Sequence, residues 1–270
     1  MSIYLGTAEI DSLKLGTADV SRVMLGNAEV WSAFDPDAAD YFARIVSEGS
    51  SISVDNKAAV DAFVRGCKTD GIWTAIKASC LLAGPDNLTG ALVPLVGAAP
   101  TNNGFVSGDY SRTTGLIGNG TTKYLNSNRN NNADPQNSNH NSLYVTACGT
   151  AGFTGLGGGG ISTGANTLGT GGGVRSRSSS LDTSITSPTG FFAISRSSAS
   201  GFTVRAGGTN YPKTRSSETP ANDNIAIFAS IQIGSALSFS NGRYAFYSIG
   251  ENLDLALLDA RLATYMSALT

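Results

Sequence analysis

The chain has 270 residues with 18 basic and 20 acidic side chains, and charged residues make up only 14% of it. That balance excludes an electrostatic nucleic-acid footprint, because no basic run is long enough to form a phosphate-binding arm. With 33 glycines and a second half crowded with Ser, Thr and Asn, the composition suits many short strands joined by turns under a neutral, hydroxyl- and amide-rich surface.

Residues 3–32 write one ten-residue unit three times: IYLGTAEIDS, LKLGTADVSR and VMLGNAEVWS. Each copy places Leu-Gly before Thr or Asn, followed by Ala, an acid and a β-branched residue, so each reads as strand, turn, strand. Units this short bury apolar faces against neighbours and cannot stand alone. The segment either packs on the rest of the chain as an ordinary three-strand meander or wraps with copies from other chains; Leu5, Ile10, Leu15, Val20, Leu25 and Val30 are expected to serve docking or oligomerisation, since an exact repeat suits a symmetric assembly.

Asp35-Pro36-Asp37 predicts a helix start, with Asp35 as N-cap and Pro36 at the first helical position, running to about Glu48. A second helix begins near Asp55 and buries Val60, Phe63, Val64 and Cys67. A third is expected from Asp70 to Gly84-Pro85, with Ile72, Trp73, Ile76 and Cys80 on one face. From about Leu92 the period changes to short apolar segments between Gly, Asn and Ser clusters, an antiparallel β pattern. Ile225 to Ile233 predicts one central strand, with Ile225, Ile227, Ala229, Ile231 and Ile233 on a single face. Arg243 to Ile249 predicts another. A closing helix is expected from Leu253, capped by Asn252, with an apolar stripe of Leu255, Leu258, Leu262, Tyr265, Met266 and Leu269. The fold class is mainly β, a two-sheet sandwich or jelly roll. It divides into a β-repeat segment at 1–34, a helical connector at 35–90, and a sandwich with a C-terminal helix at 91–270.

Cys67, Cys80 and Cys148 are odd in number and lack CxxC spacing, which predicts buried thiols. No basic-then-apolar leader and no apolar stretch of membrane-spanning length is present, so the expectation is synthesis in a cytoplasm, no signal peptide and no membrane insertion.

His140 is the only histidine. With no GxSxG elbow to accompany it, it reads as a solvated loop or strand-entry residue. Asp134, Asn137, Asn139 and His140 offer the oxygen-rich surroundings that calcium takes, but their spacing matches no calcium loop, and no other cofactor is suggested. Glycoside hydrolysis needs two carboxyl groups flanking the bond. Glutamate is absent between Gly49 and Ser217, and Glu218 and Glu251 fall on a loop and a helix edge, so no catalytic residues and no enzymatic activity are expected. The glycine runs 155–160 and 171–173 lack the Lys-Ser/Thr of a phosphate loop and read as turns between strands. Asp109, Tyr110, Arg112, Tyr124 and Tyr211 combine aromatic faces with polar groups, the materials of a glycan-binding patch.

Three runs carry a wider likeness: GIWTAIKASCLLAGPDNLTGALVPLVG, FVSGDYSRTTGLIGNGTTKYLNS and YAFYSIGENLDLALLDARLATYM. In order and spacing they resemble tailed-bacteriophage virion proteins that carry a concanavalin A-like (LamG-like) jelly roll, over roughly residues 35–270. The resemblance implies a structural or receptor-binding role in tail fibres, baseplates or head decorations, commonly as a homotrimer. It implies other virion proteins as partners and supplies no catalytic or metal-binding residues. The expected function is that of a virion protein in a tail fibre or baseplate, presenting its jelly roll to a host-surface glycan. A capsid decoration protein without receptor binding is the alternative, and a glycan hydrolase is the third.

Overall fold

The computed structural model describes residues 34–149, 154–160, 164–169, 173–183, 185 and 189–270, and the backbone of six short strands before them. Those six strands form three separate hairpins, one for each copy of the repeat. Tyr4–Leu5 (β1) pairs with Ala8–Glu9 (β2), Leu13–Leu15 (β3) with Ala18–Val20 (β4), and Arg22–Leu25 (β5) with Ala28–Ser32 (β6). The registers Leu5↔Ala8, Leu15↔Ala18 and Leu25↔Ala28 leave two connecting residues per hairpin, Gly-Thr or Gly-Asn. A two-residue connection led by glycine is what a tight hairpin needs. Among the described residues each hairpin pairs with itself and with neither sheet of the sandwich.

Helix α1, Pro36–Ser47, starts as the sequence predicts: the Asp35 carboxylate accepts from the Asp37 N–H at 3.0 Å. It stops at Gly49, whose φ of +72° is open to glycine, with Gly49 N–H bonded to Val46 O and Ser50 N–H to Ile45 O. Helix α2, Val54–Thr69, repeats the device with Ser53 as N-cap and Gly71 as stop. Gly71 N–H reaches Lys68 O and Ile72 N–H reaches Cys67 O, the paired bonds of a Schellman terminus.

Two eight-stranded sheets make the sandwich. The first holds β7 (Ile76–Leu81), β9 (Tyr110–Ser111), β10 (Gly115–Ile117), β12 (Asn139–Ala147), β16 (Gly190–Arg196), β17 (Gly201–Ala206), β18 (Thr209–Thr214) and β22 (Arg243–Gly250). Its order is β18-β17-β16-β12-β22-β10-β9, with β7 also pairing with β22. The second holds β8 (Thr101–Asn103), β11 (Tyr124–Asn130), β13 (Thr154–Gly158), β14 (Asn166–Gly169), β15 (Val174–Arg175), β19 (Asn224–Ile227), β20 (Ser230–Gln232) and β21 (Ser235–Leu237). The fold is a mainly β, jelly-roll-type sandwich flanked by helices.

Between the sheets lies one core, with Leu125, Leu143, Leu156, Leu168, Phe192, Ile194, Ile227 and Phe228 among its members. A second core fills the space between the other face of the first sheet and the helices. There Phe63 of α2 meets Phe246 of β22 and Tyr265 of α4 (Leu255–Ala268), each at 5.9 Å between ring centroids. The central strands of the first sheet are thus buried on both faces, which explains why β16 and β22 read as nearly unbroken apolar runs.

Four expectations give way. The third long helix does not exist: α2 ends at Thr69, one 3-10 turn follows at Trp73–Ala75, and Ile76–Leu81 is strand β7, paired in register from Leu81↔Phe246 to Ala78↔Ile249. An apolar run buried on both faces carries no period that separates strand from helix. Residues 76–81 thus belong to the first sheet, and α1 and α2 pack against its other face. The long strand at 225–233 breaks at Phe228, whose φ is +69° and whose ring is held between Phe105 and Tyr244 at 4.9 and 4.5 Å. After the break the face reverses, so Ala229 and Ile231 join a small separate cluster and Ile233 is 86% exposed. The closing helix is capped by Asp254 instead of Asn252, because Asn252 accepts a hydrogen bond from Ser138 Oγ at 2.6 Å. Cys67 and Cys80 are buried thiols as expected, but Cys148 lies exposed beyond the end of β12. A short 3-10 turn at Ser107–Asp109 and one turn of helix at Leu88–Ala91 (α3) complete the described elements.

Candidate functional site

On the second sheet, strand alternation decides what faces outward. Leu156, Leu168 and Val174 point into the core between the sheets, so their neighbours Gly157, Thr167 and Arg175 face the other way. On that outer face lies a cleft of about 310 Å³. Thr154, Thr167, Thr183, Ser230 and Ser238 line it with hydroxyls, and Arg175 contributes its guanidinium. Leu181 and Leu237 give the rim apolar surface.

Gly160, Gly169 and Gly173 are part of its lining. A Cβ on the nearby Gly157 would stand 2.8 Å from Ser230 Oγ and 2.9 Å from Thr154 Cγ2, so a larger residue there would crowd two of the side chains that line it. Ser230 Oγ accepts from Gly160 N–H at 3.2 Å, which leaves its own hydrogen free to turn towards a ligand. Arg175 Nη1 donates to Gly160 O at 2.6 Å, while its Nε is buried and meets no acceptor. No carboxylate lines the cleft, and Arg175 makes no ion pair among the described residues. Burial pulls the Arg175 pKa below its ordinary value. Such a cleft can exchange hydrogen bonds with a polyol and donate to an anion, and its lining supplies no acid–base pair of carboxyl groups.

Sequence reasoning missed this site. The glycines at 155–158 that read as a turn lie in β13, with Leu156 anchored in the core. The available signal was alternation, Thr-Leu in β14 and Val-Arg in β15 beside glycine.

The five residues expected to bind glycan do not come together. Tyr211 is on β18 and Tyr110 on β9, opposite edges of the first sheet with β17, β16, β12, β22 and β10 between them. Asp109 is held by Lys123 at 2.6 Å and accepts from Val106 N–H. Burial pushes its carboxyl up, but these hydrogen bonds outweigh that and hold it below the usual range. Tyr110 gives its hydroxyl to Pro85 O, and burial raises its pKa. Arg112 faces Asp86 at 3.6 Å, and Tyr124 packs against the core and Phe239. Asp109, Tyr110 and Tyr124 brace the edge of the sandwich, and only Tyr211 presents a well-exposed ring, 40% accessible.

The residues considered for calcium are committed elsewhere. Asp134 is paired with Arg129, Asn137 Oδ1 accepts from Ser217 Oγ at 2.6 Å, and Asn139 Oδ1 accepts from Asn166 Nδ2 and Ser176 Oγ. Among the described residues no cluster of three or more His, Cys, Asp or Glu side chains could hold a metal. His140 is fully buried on β12, a correction to its expected place in solvent. The Glu251 carbonyl, 2.6 Å from Nδ1, can only accept, so Nδ1 carries the proton and Nε2 accepts from Ser248 Oγ at 2.8 Å. Ser142 Oγ continues the chain 2.6 Å from Ser248. Burial drives the His140 pKa down to about 4. Glu218 accepts from Gly164 N–H and Ser179 Oγ, while Glu251 pairs with Lys77, so the two late glutamates serve separate structural contacts.

Of the expected docking residues, Leu15 is 80% exposed and Val20 half-buried. Leu5, Leu25 and Val30 lie on β1, β5 and β6, and Ile10 falls outside the described residues.

Neither a protein-family model nor a curated protein matches the sequence. Among solved structures, domain 4 of AbnA, an extracellular GH43 arabinanase of Geobacillus stearothermophilus solved with arabinotriose, is 16% identical, with a TM-score of 0.41, covering 69% of this chain and 97% of that domain. A Trypanosoma rangeli sialidase mutant with trans-sialidase activity is 11% identical, also at 0.41, covering 77% of this chain and 39% of the sialidase.

Proposed function

We propose that the chain is a structural virion protein whose sandwich adheres to a host-surface glycan, attached to a tail fibre or baseplate by its hairpin repeats. The observation that carries the adhesion is the open, hydroxyl-lined cleft on the outer face of the second sheet. The helical layer occupies the opposite side of the sandwich, so the cleft faces away from it. The virion setting rests on the likeness of the three sequence runs to phage proteins, and the three self-paired hairpins suit a symmetric attachment. Adhesion would work through many weak contacts multiplied by copy number. Binding without turnover is the reading in keeping with a cleft that no carboxylate lines.

The test is a glycan array probed with the assembled full-length protein at high surface density. Retention on a defined group of glycans, without release of cleaved sugar, is the expected result. Silence across the array at every density overturns adhesion, and steady release of reducing ends overturns the non-enzymatic reading.

A further inference from the structure

We propose that the cleft beside Arg175 is a subsite for an acidic saccharide, in which the guanidinium takes a sugar carboxylate and the surrounding hydroxyls take the ring oxygens. This rests on the adhesion reading and narrows it to a ligand class.

Arg44, Arg65, Arg112, Arg129, Arg205 and Arg261 each face an aspartate within 4.0 Å, whereas Arg175, which lines the cleft, pairs with no carboxylate among the described residues. Arg175 instead spends one nitrogen on a backbone carbonyl and keeps a buried Nε without an acceptor. The guanidinium still has N–H groups to offer to a ligand in the cleft that its side chain lines, and a carboxylate is the charged acceptor such groups match. The acid nearest in the pairing scheme, Asp182 opposite Val174, is engaged by Lys213 at 3.2 Å.

The rest of the lining selects what carries the carboxylate. Thr154, Thr167, Thr183, Ser230 and Ser238 can each donate and accept, as the hydroxyls of a sugar do. Leu181, 39% exposed at the rim, offers apolar surface to the C–H face of a ring. At about 310 Å³ the cleft lies at the small end of the usual range for ligand sites. A bare inorganic anion would leave most of these hydroxyls unused.

Titration calorimetry on the full-length chain tests the subsite, using oligogalacturonate and sialyllactose against their neutral counterparts, galacto-oligosaccharide and lactose, with sodium sulfate as the bare anion. Tighter binding of at least one acidic glycan than of its neutral partner is expected, and it should persist at about 0.15 M salt, where long-range attraction is screened. Arg175→Gln should weaken the acidic ligand by about tenfold or more and abolish the preference, while Arg175→Lys keeps part of it. Thr167→Val should weaken acidic and neutral ligands alike. Thermal unfolding of each variant shows whether the fold is kept, and Arg175→Lys carries the comparison if Arg175→Gln does not fold.

Equal binding of acidic and neutral glycans, or a preference that Arg175→Gln leaves intact, overturns the subsite and leaves adhesion standing. Sulfate binding as tightly as the acidic glycan also overturns it. Binding of no glycan of either class overturns both.

Discussion

At the scale of single residues, His140 ties burial to pH. An unfolded chain takes up the histidine proton near pH 6.5, whereas the folded chain, its imidazole desolvated and bonded to Glu251 O and Ser248, takes it up only near pH 4. Between those values the unfolded state holds more protons. Stability present above about pH 6.5 is therefore lost as pH falls towards 4, by about 3 kcal/mol over the whole window. Urea unfolding of the wild type should show that fall between pH 6.5 and 4.5, and His140→Gln should flatten it while lowering stability at neutral pH. An equal slope in both proteins would remove His140 as the cause. The sequence around it, Asn-Ser-Asn-His-Asn-Ser, looked solvated because polar residues ordinarily are. What the sequence could not display is that Asn139, His140, Asn141 and Ser142 lie buried on a central strand, with His140 and Ser142 satisfied by Ser248 and Glu251, and Asn139 Oδ1 by Asn166, all distant in sequence.

Among the elements, the helix ends were legible and the strand inside the helical region was not. Asp35, Gly49 and Gly71 announce their roles because capping is local chemistry, written within about four residues of the turn it serves. Gly71 has φ +71° and open space around a notional Cβ, so Gly71→Ala should cost only the backbone term, about 1–2 kcal/mol by denaturant titration. Gly97 makes the contrast. Its φ is +85° and a Cβ would lie 2.4 Å from Lys77 O, so Gly97→Ala should cost more than Gly71→Ala because the β7 backbone must also move. A smaller loss at Gly97 would refute that account of the close approach. Strand β7 escaped notice because Ile76, Cys80 and Trp73 happen to fall at helical spacing, while the partner that makes them a strand, β22, lies more than 160 residues away. Phe63 marks the joint between these elements, touching both Phe246 and Tyr265. Phe63→Ala should destabilise by about 3–5 kcal/mol, since the cavity would open between a helix pair and a sheet that cannot collapse together.

For the whole molecule, the sandwich was legible from strand density, but its layering was not, because contact between α2, α4 and the first sheet depends on shape and not on period. The same limit hid the cleft, whose lining comes from five strands and the segments beside them. The hairpin repeats separate most cleanly from the rest. No residue before Phe34 belongs to any core cluster among the described residues, and the capping and packing of α1 begin at Phe34 and Asp35. Isolated two-stranded hairpins are marginal in water, and Leu15 at 80% exposure offers apolar surface for a partner. Removing residues 1–33 should therefore leave the melting temperature of the sandwich within a few degrees of wild type, while the mass in solution falls from an oligomer to a monomer. Leu15→Asp in the full chain should shift the same equilibrium without touching the core. A full-length protein that is already monomeric, or an oligomer that survives the truncation, would place the assembly surface elsewhere. A large fall in melting temperature on truncation would mean that the hairpins stabilise the sandwich itself.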